Sequence, residues 1–158
     1  MDNPAYSWAP RGVRPGVKSQ RVRQYTYVYG AVSPQDGDLF SLILPYADTA
    51  RMELFMDEFA RHLGGQPALL IMDEAAWHKA APIIHGHPNI HIVFQPPYSP
   101  ELNPAEHLWS HLRQNHMKNR YWKNMDDLED SLEAGLCNCL EERESIRSLT
   151  VFNWMVGL

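Results

Sequence analysis

The stretch that most constrains this chain is Gln95-Pro96-Pro97-Tyr98-Ser99-Pro100-Glu101-Leu102-Asn103-Pro104-Ala105-Glu106-His107-Leu108-Trp109. Pro96, Pro97 and Pro100 remove backbone donors and disfavour helix in the residues before them, so the segment begins as a stiff, extended loop. Asn103 then offers an N-cap side chain, and Pro104 falls at the first helical position, where its missing N–H costs nothing. Glu106 is thereby placed in the first turn of a helix with a rigid approach. Upstream, Ala68-Leu69-Leu70-Ile71-Met72 is a continuous apolar run that stops at Asp73, which predicts a buried strand with a carboxylate at its end. Two carboxylates set this way can meet around a divalent cation. Each also has a plainer reading: Asp73 as a cap for the next helix, and Asn103-x-x-Glu106 as a capping box.

Around these two segments the pattern is α/β. Tyr25-Thr26-Tyr27-Val28-Tyr29 puts three tyrosines on one face by strict alternation, and residues Leu39 to Leu44 are apolar and partly β-branched. Between them Ser33-Pro34-Gln35-Asp36-Gly37-Asp38 carries an Asp-Gly turn step, so a β-hairpin is expected. Asp48 or Thr49 opens a helix reaching about Leu63. Its Met52, Phe55, Met56, Phe59 and Leu63 recur at helical spacing and read as core, and Gly64-Gly65 ends it. A short helix disturbed by Pro82 follows Asp73, then a strand, Ile90-His91-Ile92-Val93-Phe94. A strand, a helical crossover and a strand pack as a right-handed parallel unit. In such sheets binding groups collect beyond the carboxyl ends of the strands, where Asp73 and the loop of residues 95–106 both lie.

The helix from Pro104 is expected to reach about Met117, with Ala105, Leu108, Trp109 and Leu112 inward. Asp126 and Glu129 read as a capping pair for an acidic helix whose Leu128, Leu132, Leu136 and Leu140 face the core. The tail, residues 149–158, is apolar and reads as docked. The hairpin, Ala68–Met72 and Ile90–Phe94 are expected to share one sheet.

Charge divides the chain. Residues 1–24 are rich in proline and glycine and hold Arg11, Arg14, Lys18, Arg21 and Arg23 against Asp2 alone, while the whole chain is −5, leaving −9 for the rest. We read residues 1–24 as a basic arm and 25–158 as the folded domain. Arg113, His116, Lys118, Arg120 and Lys123 interleave with Tyr121 and Trp122, a pattern that suits DNA phosphates and equally a charged surface turn. Cys137 and Cys139, two apart on a helix, point in different directions and make neither a disulfide nor a metal pair. His107 and His111 are four apart but lack the glutamate that follows the first histidine of zinc hydrolases, so no zinc site is read there. No apolar run is long enough to span a membrane and no signal peptide is seen, which reads as a cytoplasmic protein.

Met72-Asp73-Glu74-Ala75-Ala76-Trp77-His78-Lys79, followed by the Pro-Pro-Tyr-Ser-Pro-Glu-Leu-Asn-Pro-Ala-Glu-His-Leu-Trp block, resembles the catalytic region of mariner-type DDE transposases, specifically the insertion sequence 630 family. The resemblance runs from Trp8 to the C-terminus. It implies an α/β, ribonuclease H-like fold with a mixed sheet and flanking helices. It implies metal-dependent nicking of transposon ends and strand transfer, with Asp73 and Glu106 as catalytic and metal-binding carboxylates and Mg²⁺ (or Mn²⁺) as the cofactor. His78 would then sit at the site's edge with a phosphate contact, and Arg11, Arg14, Arg113, Lys118 and Arg120 are candidate contacts to terminal repeats and target DNA.

The family uses three carboxylates, the first on a strand upstream of the Trp8 segment. No strand pattern precedes Trp8 here, and Asp2, in a proline-rich stretch close to Trp8, is not given the role. Glu74 departs from the neutral residue usual after the second aspartate. A C-terminal fragment, with the first strand missing and inactive alone, is therefore expected. Its unpaired edges would invite dimerisation or association with an upstream transposase segment. The alternatives are a non-catalytic DNA-binding or dimerising remnant and a structural α/β domain with no nucleic-acid role.

Overall fold

The computed structural model describes residues 10–12, 24–97, 99–118 and 120–152. Asp2, Trp8, Arg14, Tyr98 and residues 153–158 of the tail lie outside the described residues.

Strand β1 (Tyr27–Val32) pairs antiparallel with β2 (Leu39–Leu44), Tyr27 opposite Leu44 and Val32 opposite Leu39. The alternation of tyrosines placed this strand too early: Tyr25 lies outside it, and it continues through Gly30 and Ala31 to the turn. That turn is closed by Ser33 N–H donating to the Asp38 carbonyl and Gly37 N–H donating to the Ser33 carbonyl, both at 2.8 Å. Gly37 takes a φ of +72°, and a Cβ there would stand 2.0 Å from the carbonyl oxygen of Arg143. Glycine is required at this position twice over.

Helix α1 (Thr49–His62) begins where Asp48 accepts the Arg51 N–H at 2.9 Å. Its predicted stripe is buried: Met52, Phe55, Met56 and Phe59 form one core with Met72, Ile83 and Ile90. Phe40 of the hairpin meets Phe55 and Phe59, with ring centroids 5.4 and 5.7 Å apart. A stripe at three- and four-residue spacing does this because those positions share one helix face.

Strands β3 (Ala68–Met72) and β4 (Ile90–Phe94) pair in parallel, with Ala68 opposite Ile90 and Met72 opposite Phe94. The connection is a 3₁₀ turn, Ala76–Lys79, and helix α2 (Ala81–His85), which Pro82 opens rather than disturbs. The expected burial of β3 is only half met. Met72 is buried, but Leu69 is 62% exposed and Val93 on β4 is 41% exposed. Helices α1 and α2 cover one face of this pair, and a continuous apolar run does not itself say whether both faces are covered.

A second core lies on the other side of the hairpin. Leu39 packs there with Leu108 of α3 (Pro104–His111), Leu112 and Met117 beyond it, Leu136 and Cys139 of α4 (Met125–Glu141) and Ile146 of α5 (Arg143–Thr150). Trp109 presses on β1 so closely that a Cβ on Gly30 would come within 2.5 Å of the indole. The cap of α4 is Asn124, which accepts the Asp127 N–H at 2.8 Å while Asp127 accepts the Lys123 N–H at 3.1 Å. This reciprocal pair replaces the expected Asp126–Glu129 box, because Asn124 is the last residue with extended backbone. Leu140 is exposed, against expectation. Each four-residue step advances about 40° past a full turn, so three steps carry it off the face held by Leu128, and Cys139 fills the place instead.

The class is mixed α/β with flanking helices, as expected. The single sheet is not found: among the described residues the four strands form two ladders, β1 with β2 and β3 with β4. The apolar face of α1 bridges them, since its core takes Tyr29, Phe40 and Leu42 from the hairpin and Met72 and Ile90 from the parallel pair. Within the described residues each of the four strands, β1 and β3 among them, keeps one edge without a partner strand. Among those residues no helix is long and apolar enough to cross a membrane.

Candidate functional site

Asp73 follows the last residue of β3. Its Oδ1 accepts the Ala75 N–H at 3.1 Å, and the His78 Nδ1–H donates to the Asp73 carbonyl at 3.2 Å while standing 2.7 Å from Oδ1. The first is the local turn a strand-end aspartate makes. The second holds the imidazole beside the carboxylate, whose Oδ2 has no partner among the described residues. His78 is therefore tied to Asp73 rather than free at the rim.

Gln95 follows β4 and is 8% exposed. Its N–H donates to the Met72 carbonyl at 2.9 Å, continuing the ladder by one bond, and its side-chain amide donates to the Leu102 carbonyl at 3.0 Å. After Leu102, Asn103 caps α3, its side-chain oxygen accepting the Ala105 N–H at 3.0 Å. Glu106 occupies the first turn, where the helix's unpaired N–H groups favour a negative charge. The expected return bond of a capping box is absent: among the described residues the Glu106 carboxylate has no hydrogen-bond or ion-pair partner.

Asp73 and Glu106 line the same cleft of about 430 Å³, together with Glu74, Gln95, Asn103 and the Pro96–Pro97 turn. Glu74 reaches Lys79 Nζ at 3.0 Å, so its charge is matched locally. The three carboxylates are not clustered within 4.8 Å of one another; they face a shared open space. An oxygen-only, partly unpartnered set of this kind fits a hard dication that keeps part of its water shell. Gln95 is the residue that sequence reasoning passed over. Its signal was a lone amide between an apolar strand and a Pro-Pro step.

The basic candidates are not gathered here. Arg11, Arg113, Lys118 and Arg120 are exposed, and none lines the Asp73–Glu106 cleft. Arg113 donates to Ser110 Oγ at 3.3 Å, and Arg120 borders a separate hollow with Trp122, Asp127, Asp130 and Ser131. His107 and His111 diverge as well: His107 Nδ1 donates to the Leu149 carbonyl at 2.8 Å, and His111 Nε2 lies 3.1 Å from Glu142. Cys137 is exposed and Cys139 buried, the two directions their spacing predicts. Burial, aided by Glu142, pushes the Cys139 thiol up to about 11.

A ribonuclease H-like α/β fold with an acidic cleft beyond the carboxyl ends of its parallel strands defines a structural class. Within it the chain belongs to the DDE superfamily endonucleases, the family matched by residues 1–129. It is 37% identical over 131 residues to uncharacterized protein y4pE/y4sA of Sinorhizobium fredii (strain NBRC 101917 / NGR234), a match covering 82% of this chain and 96% of that one. The fold is similar to that of the Mos1 transposase in its paired-end complex with the left transposon end, with a TM-score of 0.60 and 15% identity. That likeness covers 94% of this chain and 51% of the other, so the chain spans about half the length of the Mos1 protein.

Proposed function

We propose that the chain is the catalytic portion of an insertion sequence 630, mariner-type transposase, with residues 25–158 as catalytic domain and 1–24 as a basic arm on DNA. The observation that carries this is the pairing of Asp73 and Glu106 in one cleft, each aimed by its own backbone device. In this reading the two carboxylates hold Mg²⁺ (or Mn²⁺), which when bound supplies charge stabilisation at the phosphate and an activated hydroxyl. His78, bonded to the Asp73 carbonyl and 2.7 Å from its Oδ1, steadies this carboxylate, as outer partners of metal ligands do. Gln95 keeps the strand end and the helix start in register. The partners are transposon terminal repeats and target DNA, met in the cytoplasm. Arg113, Lys118 and Arg120 take phosphates outside the cleft, and Arg11 and Arg14 do so from the arm.

Asp73 and Glu106 are two of the three carboxylates the family uses. We place the third on a strand that inserts between β1 and β3, two of the four strand edges left without partners among the described residues. In this reading DNA is nicked only by a polypeptide that supplies that strand. The test is to assay Mn²⁺- and Mg²⁺-dependent nicking of the element's own ends by residues 1–158, and by a longer polypeptide carrying the upstream strand. The expected result is nicking by the longer polypeptide, lost in Asp73→Asn and Glu106→Gln. Nicking by residues 1–158 alone would put the third carboxylate within these residues, and nicking that survives both substitutions would overturn the site. DNA binding by the longer polypeptide without cleavage would favour a non-catalytic remnant.

A further inference from the structure

Sequence spacing gave no reason to join His111, His116 and Cys139. In an α-helix, residues five apart stand about 140° away from each other around the axis. After α3, however, Leu112–His116 forms a π-helical turn, which closes i→i+5 bonds and brings His111 and His116 to one side. Their ring centroids are 5.7 Å apart. Helix α4 comes up against this turn at Gly135, where a Cβ would stand 2.8 Å from Leu112 and 3.0 Å from the His116 Cβ. One turn further along the same face is Cys139, and three residues on is Glu142.

We propose that His111, His116 and Cys139, with Glu142 as fourth donor, bind one zinc-type dication that fastens the end of α3 to α4. One ligand atom from each of the first three lies within 4.8 Å of the others. A tetrahedral zinc, with bonds of about 2.1 Å to nitrogen and 2.3 Å to sulfur, holds its donors roughly 3.3–3.8 Å apart, so a small inward rotation completes the set. His111 Nε2 and Glu142 Oε2 already stand at such an edge, 3.1 Å apart.

An independent observation points the same way. His116 Nε2 is buried with no hydrogen-bond partner, the one such side-chain atom among the described residues. Buried polar atoms are almost always paired, and an unpaired one calls for an explanation such as an ion. The amides of Asn115 and Asn138 stand on the Nδ1 atoms of His111 and His116 at 2.9 and 3.4 Å. An amide turned to present its oxygen takes the Nδ1 proton and leaves the Nε2 lone pair for a metal, the usual outer support of a ligating histidine.

The donors are one thiolate, two imidazoles and one carboxylate, whose two negative charges match a dication. Sulfur and nitrogen donors separate this site from the oxygen-only cleft and select zinc-type over magnesium-type ions. It does not depend on the transposase reading.

The test uses the untagged chain stripped with a chelator and titrated with Co²⁺, then Zn²⁺. The expected result is one Co²⁺ per chain, with visible d–d bands and a near-ultraviolet thiolate-to-cobalt band, displaced by Zn²⁺ and untouched by excess Mg²⁺. Cys139→Ser should abolish the thiolate band. His116→Asn, with its fold checked by circular dichroism, should weaken Co²⁺ binding by about 100-fold or more. Cys137→Ser and His107→Ala should bind as wild type. A wild-type chain with no thiolate band overturns the proposal, as does a band that survives Cys139→Ser or an affinity unchanged in His116→Asn.

Discussion

The Gln95 side-chain amide donates to the Leu102 carbonyl at 3.0 Å, and this one bond sets where the Glu106 helix starts relative to the end of β3. The backbone of Gln95 is already fixed on Met72, the residue before Asp73, at 2.9 Å. The buried glutamine therefore serves as a spacer between the two carboxylates' supports. Replacing it by leucine leaves the Leu102 carbonyl unsatisfied in a partly buried position. We expect Gln95→Leu to lose about 1–3 kcal/mol of stability, read by urea unfolding, and to weaken divalent-ion binding in the cleft. Unchanged stability and affinity would show that the prolines alone hold the loop.

His78 offers a second test of how the site is built. It donates to the Asp73 carbonyl at 3.2 Å and stands 2.7 Å from Oδ1 of a side chain that is 62% exposed. In His78→Ala, Mn²⁺ affinity measured by calorimetry should fall by about 10–100-fold while the melting temperature of the metal-free chain changes little. An equal loss of stability and affinity would assign His78 to folding instead.

The hairpin turn makes a prediction independent of function. Gly37→Ala puts a Cβ on a left-handed backbone and against the Arg143 carbonyl that lies 2.0 Å from that point. The expected cost is at least about 2 kcal/mol, a fall of roughly 5 °C or more in melting temperature. A change of under a degree would mean that α5 does not pack on this turn.

Much of this arrangement was legible in the residues, and the failures have physical causes. The start of α3 followed from Asn103 and Pro104 because capping and proline geometry act within a few bonds. The α1 stripe was equally plain, since the same helical period that sets the pattern sets the packing. What local chemistry does not encode is the company an element keeps. The exposure of Leu69 depends on which helices cover β3, and the division into two ladders depends on what lies beside β1. The grouping of His111, His116 and Cys139 needed both a π-helical turn and the close approach of Gly135, neither of which has a spacing to recognise. The return bond expected from Glu106 to its own cap was missing, which left that carboxylate open to the cleft.

The most direct test of the central claim is a double-mutant cycle on Mn²⁺ affinity, measured by calorimetry on the wild-type chain, Asp73→Asn, Glu106→Gln and the double variant. Both substitutions keep side-chain shape and remove charge, and folding is checked by the metal-free melting curve. If the two carboxylates hold one ion, each single change should abolish most of the affinity, and the double variant should be little worse than either alone. Affinity losses that simply add, or Glu106→Gln binding Mn²⁺ as tightly as wild type, would contradict the account and leave Glu106 as a solvent-facing residue of the first helical turn.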